Sequence, residues 1–199
     1  MDKLNFFYVD TVYVRYLQIS EAAARGRSRV PNMDYSLERK AKFACGIVLQ
    51  VNGFDYYVPV TSYKKQQPDN FLIYAANGKV TSSLRFNYMF PVPKALVQEY
   101  RIDDLEDSRY KALVSQELRY CLRNEDTIRK LAERTYRRVR MGKSPALVEN
   151  SCDFSLLETS CQKYERIFQL DTPTSRCSQS EAETASSANN KPTFPRQKM

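Results

Sequence analysis

Two β-branched and apolar runs, 43–51 and 54–61, are separated by Asn52-Gly53. That dipeptide supplies both positive-φ positions of a type I′ turn, whose twist matches paired strands, so the segment predicts an antiparallel hairpin. A second Asn-Gly, Asn77-Gly78, joins 71–76 to 80–86, and 88–92 adds an apolar segment bounded by Pro91 and Pro93. Residues 4–9 read as a further strand. Short strands joined by tight turns point to a small, strongly bent sheet or barrel.

Helical spacing takes over elsewhere. Asp10 or Thr11 caps a helix to about Gln18, with Val12, Tyr16 and Ile19 on one face, and an alanine-rich stretch extends it toward an exposed basic loop carrying Arg25, Arg27 and Arg29. Asp103, Asp104, Glu106 and Asp107 gather ahead of a helix marked by Tyr110, Val114, Leu118 and Cys121. Acids there favour a helix N-terminus, whereas a two-metal nuclease needs carboxylates converging from separate elements. Asn124 caps a third helix with Ile128, Leu131, Ala132, Thr135 and Val139 as its buried stripe, and Ser155 with Glu158 has the spacing of a capping box opening a last one. The expected class is α+β, one domain over 1–170, followed by a Ser-, Ala- and Asn-rich tail, 171–199, too poor in apolar residues to pack.

The chain holds no histidine. That excludes His-based acid–base pairs, Ser-His-Asp triads and His-containing zinc sites, leaving Lys, Tyr, Ser, Thr, Arg and carboxylates for any catalysis. Five cysteines at irregular spacing suggest free thiols, and neither a bilayer-length apolar run nor an export signal is evident, so a cytoplasmic protein is expected. A formal charge of +8 favours a polyanionic partner. The basic residues cluster: Arg129, Lys130, Arg134, Arg137, Arg138, Arg140 and Lys143 fall in one stretch with Glu133 as the only acid, a phosphate footprint if it is not simply a solvated face.

Thr61-Ser62-Tyr63-Lys64-Lys65 closes the second strand of the hairpin. Counting back equally from Asn52-Gly53 sets Lys42 opposite Tyr63, beside Ser62 and Lys64. Hydroxyls and ammonium groups at a strand end can grip a phosphodiester. RNA then needs neither metal nor water as nucleophile, because its own 2′-hydroxyl attacks phosphorus once deprotonated, while the leaving 5′-oxygen is protonated. Taken alone, the cluster is also what an ordinary polar turn looks like. A non-catalytic RNA-binding module and a groove-reading DNA repressor are the competing classes, although the third helix has no helix-turn-helix spacing.

Phe7-Tyr8, Tyr13-Val14-Arg15-Tyr16-Leu17, Val30-Pro31-Asn32, Gly46-Ile47-Val48-Leu49, Thr61–Lys65, Asn87-Tyr88-Met89-Phe90-Pro91-Val92 and Cys152-Asp153-Phe154-Ser155-Leu156-Leu157-Glu158 follow one another in an order that resembles the ToxN/AbiQ family of type III toxin endoribonucleases, with its CptN and TenpN relatives. The resemblance implies a compact MazF/Kid-like antiparallel β-barrel core wrapped by several helices, with the active site at its rim. It implies a catalytic set of Lys42, Thr61, Ser62, Lys64 and Tyr13, with Lys40 as the alternative to Lys42, and RNA-binding roles for Tyr35, Lys40, Lys65, Arg129, Lys130, Arg134, Arg137 and Arg138. It further implies no metal and no cofactor, cellular mRNA as substrate, and an antitoxin RNA of pseudoknot repeats held in a closed ring of three proteins and three RNAs. Neither DNA nor a membrane enters that picture.

Overall fold

The structure, a computed structural model, describes residues 3–33 and 42–170. Its strands are β1 (Asn5–Val9), β2 (Ala44–Val51), β3 (Phe54–Thr61), β4 (Asn70–Tyr74), β5 (Val80–Arg85), β6 (Phe90–Pro91) and β7 (Val97–Glu99). Its helices are α1 (Thr11–Arg25), α2 (Ser108–Arg123), α3 (Glu125–Arg140), α4 (Pro145–Glu149) and α5 (Phe154–Phe168). The strands form one antiparallel sheet in the order β4-β5-β3-β2-β1-β7, with β6 also on β3.

The class is α+β, as expected, but the sheet is open rather than a closed MazF/Kid-like barrel. β3 divides its edge, giving Tyr56 and Tyr57 to β6 and Val60 and Thr61 to β5, so the sheet bends there without closing. Among the described residues β4 and β7 stay at opposite ends of the strand order. Helices cover the sheet instead: α2 packs on β4 and β1, and α3 on β2 and β4. Such cover shields an edge as closure would.

The hairpin β2–β3 turns on Asn52 (φ 53°) and Gly53 (φ 81°), as a type I′ turn requires. Its register changes partway along. Leu49 faces Tyr56 and Val51 faces Phe54, yet Cys45 faces Val58 and Ala44 faces Pro59, so between them 46–48 on β2 oppose Tyr57 alone. Gly46 sits in that bulge, where a Cβ would stand 2.1 Å from the Tyr57 ring; only glycine admits the contact. The two extra residues slide the open end of the hairpin by one pleat. Continued by the Val60 N–H bond to the Phe43 carbonyl (3.2 Å), the register sets Lys42 across from Thr61, not Tyr63.

α1 is capped by Asp10, which accepts from Tyr13 N at 2.8 Å. It buries Tyr13, Val14, Leu17 and Glu21, while Val12 and Ile19 of the expected face are more than half exposed. Asp107 caps α2, accepting from the Arg109 and Tyr110 amides, so this member of the acid cluster is a helix cap. Asn124 precedes α3 but its side chain donates to Tyr120 O, finishing α2. α5 is capped by Asp153 through Leu156 N, and Glu158 is instead buried, accepting from the Tyr56 and Tyr136 hydroxyls at 2.8 and 2.7 Å. The Ser155–Glu158 capping box is therefore corrected. Nor is 25–29 a free basic loop: Arg25 and Arg29 bond carbonyls near α4, and Arg27 pairs with Glu149. No helix of the described residues is long and apolar enough to cross a membrane.

Candidate active site

Thr61 faces Ser83 across β3 and β5, and the hairpin register, extended past the start of β2 through the Val60–Phe43 bond, sets Lys42 across from Thr61 on its other side. The Thr61 and Ser83 hydroxyls lie 3.2 Å apart, and Ser83 Oγ donates to the Tyr63 carbonyl at 2.6 Å. Because that bond uses the Ser83 proton, Thr61 is the donor of the pair, and its oxygen is left to accept from any further partner. Ser83 is fully buried, Thr61 half-buried, and Ser62, Lys64 and Lys65 are exposed.

The loop beyond Thr61 is held by Asn70, which is buried. Its Oδ1 accepts from Gln67 N (2.9 Å) and Gln66 Nε2 (3.0 Å), and its Nδ2 donates to Lys65 O (2.8 Å). Gln67 Nε2 then donates to the Tyr63 hydroxyl at 2.9 Å. An exposed run of hydroxyl and ammonium groups thus rises from a backbone fixed by a buried amide.

Lys42 is half-buried, its Nζ donating to Asn32 O at 3.4 Å. Desolvation lowers its pKa from 10.5. Tyr13 does not join this group. Its side chain is fully buried, its hydroxyl donates to Pro91 O at 2.8 Å, and burial pushes the phenol well above its ordinary pKa. The residue ties α1 to β6 through that bond, so its hydroxyl is not exposed with Ser62, Lys64 and Lys65. Tyr35 and Lys40 lie outside the described residues.

The basic stretch of α3 divides by burial. Arg129 is half-buried and tied to the bulge, donating to Ile47 O at 2.6 Å and pairing with Glu125 at 2.5 Å, so it fastens the helix to the sheet instead of facing a ligand. Lys130, Arg134 and Arg137 are exposed at spacings of four and three, which puts them on one face; Arg138 is half-buried. Arg137 pairs with Glu133. Arg134 donates to Pro68 O at 2.9 Å, joining this face to the loop that follows Lys65. A hollow of about 250 Å³ opens beside that contact, lined by Gln67, Pro68 and Arg134 among others. It shares Tyr74 and Tyr120 with a cleft of about 610 Å³ that carries Arg109, Arg119 and Arg123.

Ser83 and Asn70 escaped the sequence reading, as did Arg85, whose guanidinium carbon lies 4.9 Å from the Tyr63 ring centroid and 4.3 Å from that of Tyr88. Ser82-Ser83 in a strand carries no signal of its own; only the β3–β5 register reveals it.

An open antiparallel sheet whose strand end presents hydroxyls and lysines beside an arginine face is the kind of surface on which a sugar-phosphate backbone can be held. The family described as Toxin ToxN, type III toxin-antitoxin system, matches residues 5–162, and the chain belongs to it. It is 28% identical over 177 residues to Endoribonuclease AbiQ of Lactococcus lactis subsp. lactis, covering 82% of this chain and 90% of that protein. It is 27% identical to Endoribonuclease ToxN of Bacillus thuringiensis subsp. kurstaki, with 82% and 86% covered. A solved toxin from work on selective toxin inhibition by a non-coding RNA pseudoknot superimposes with a TM-score of 0.73 at 26% identity, over 82% of this chain and 99% of that one. The solved AbiQ structure shares the fold, with a TM-score of 0.71 at 24% identity, covering 83% and 99%.

Proposed function

We propose that this type III toxin is an endoribonuclease that cuts single-stranded RNA without a metal ion, through attack of the substrate's own 2′-hydroxyl, and leaves 2′,3′-cyclic phosphate and 5′-hydroxyl ends. The observation that carries the reading is the row formed by Lys42 and Thr61 at the open end of the hairpin, with Ser62 and Lys64 exposed just beyond it. Lys42 and Ser62 hold the scissile phosphate. Thr61, oriented by Ser83 as an acceptor, takes the hydrogen bond of the attacking 2′-hydroxyl, whose proton passes to solvent as the 2′-oxygen bonds to phosphorus, and Lys64 gives a proton to the 5′-oxygen as its bond to phosphorus breaks. Positive charge fixed beside the phosphate stabilises the extra negative charge of the transition state. DNA lacks the nucleophile and is not a substrate.

The partner we propose is a pseudoknotted antitoxin RNA, the kind of inhibitor named for the solved relative, lying along Lys65, Lys130, Arg134 and Arg137 in a closed ring of three proteins and three RNAs. One domain, 1–170, carries both functions; cellular mRNA is the substrate once the inhibitor is lost, and the setting is the cytoplasm.

The test is an oligoribonucleotide with a single 2′-deoxy sugar at the cut position, incubated in EDTA. Wild-type protein cleaves the all-ribose strand and spares the substituted one; cutting of both strands would remove the internal nucleophile. Ser62→Ala binds RNA and fails to cut it. If wild type binds RNA but never cuts, the protein is the non-catalytic binding module instead.

A further inference from the structure

We propose that Arg85 is a further catalytic residue, a guanidinium positioned to take the non-bridging oxygens of the scissile phosphate; this rests on the cleavage site placed at Thr61. Arg85 ends β5 two residues beyond Ser83, so it lies on the same face as Ser83 and its opposite number Thr61. Diagonal neighbours of this kind in antiparallel strands stand roughly 7–8 Å apart, within reach of an arginine side chain.

Two aromatic rings flank the guanidinium, whose Nε is buried and unpartnered. It lies over the rings of Tyr63, from the loop after β3, and Tyr88, from the turn after β5, at 4.9 and 4.3 Å. Stacking fixes a planar cation through its face and leaves its in-plane N–H donors for another group. Those donors are nearly unused. Nη2 reaches Gln67 Oε1 at a long 3.4 Å, and Nε is buried with no hydrogen-bond partner. Some arginines here are neutralised by carboxylates, Arg25 by Glu21, Arg129 by Glu125 and Arg137 by Glu133. Arg85 makes no ion pair among the described residues; the groups found around its guanidinium are the Tyr63 and Tyr88 rings and the neutral Gln67 amide.

A half-buried cation with open donors and no counter-ion is costly in the free protein, and the cost is relieved when an anion arrives. Charge held in place beforehand is also what stabilises a transition state whose negative charge grows on oxygen. Lys42 precedes β2 and Arg85 ends β5, so the register puts a cation on each side of Thr61 for a phosphate bound there. Tyr63 has a second use here, since its ring braces Arg85 while its carbonyl orients Ser83.

The experiment is single-turnover cleavage of a short RNA bearing an Rp or Sp phosphorothioate at the cut, by wild type, Arg85→Gln, Arg85→Lys and Ser62→Ala. Arg85→Gln should lose about 10²–10³-fold in the cleavage rate with RNA affinity changed only a few-fold, the size of effect seen when one charge-stabilising donor is removed. Wild type should discriminate between the two phosphorothioates, and Arg85→Gln should discriminate less. Arg85→Lys keeps the charge but not the planar fork, so it should fold and recover part of the rate. A role confined to bracing the loop would leave the phosphorothioate preference intact, and that outcome overturns the proposal, as does a wild-type rate in Arg85→Gln. Should Ser62→Ala cut normally, the cleavage site itself is misplaced; should it fail while Arg85→Gln cuts normally, only the role of Arg85 falls.

Discussion

Lys42 carries a testable consequence at the scale of one side chain. Burial lowers its pKa from 10.5, and the proposed role needs the charged form. Cleavage should therefore fall as pH rises through that lowered value, giving an alkaline limb below the usual lysine range, and Lys42→Arg should move the limb upward. A pH–rate profile with the same limb in both proteins would separate Lys42 from the chemistry. Stability has the opposite sign. Between the lowered value and 10.5 the unfolded chain binds a proton that the folded chain has released, so stability rises with pH across that window and the slope disappears in Lys42→Met. Side-chain type alone suggested the proposed chemistry, since without histidine a basic cluster at a strand end was among the few arrangements available. It did not announce burial: Tyr13 and Arg129 have the right functional groups, but their polar atoms already serve Pro91 and Ile47.

Glu21 acts between elements. It is fully buried in α1, yet its carboxylate accepts from Arg25 Nη1, Ser28 Oγ, the Arg29 and Val30 amides, and Asp153 N at the cap of α5. One side chain thereby ties a helix, the loop leaving it and the start of another helix. Removing a partner from such a network strands a cation and several amides, so Glu21→Ala should lower stability by about 3–5 kcal/mol in urea unfolding. A loss below about 1 kcal/mol would mean that water replaces the carboxylate. Local chemistry specified the hairpin, because Asn52-Gly53 satisfies a type I′ turn within its own residues. The bulge at 46–48 has no such signature. It exists because Tyr57 packs on Gly46, a contact between strands, and it moved Lys42 from Tyr63 to Thr61.

Across the whole molecule the charge of +8 has its clearest footprint along α3. Lys130, Arg134 and Arg137 continue the surface of the 62–68 loop through the Arg134–Pro68 contact, so RNA binding should depend steeply on salt. Replacing all three with Gln should flatten the log K versus log salt slope by about 2, at roughly 0.7 per phosphate contact on a single strand. Arg129→Gln should leave that slope alone while lowering the melting temperature; a flattened slope in Arg129→Gln would return that residue to the RNA face. The sequence by itself determined the α+β class, the Asn52-Gly53 hairpin, the presence of most helices and the lack of histidine, because each of these depends on composition or on residues within one or two turns of chain. Tertiary structure alone decided that the sheet stays open, that Ser83 faces Thr61, that Arg85 lies over Tyr63 and Tyr88, and which arginines are already neutralised. Strand partners and counter-charges come from residues far apart along the chain, and packing is what chooses among them.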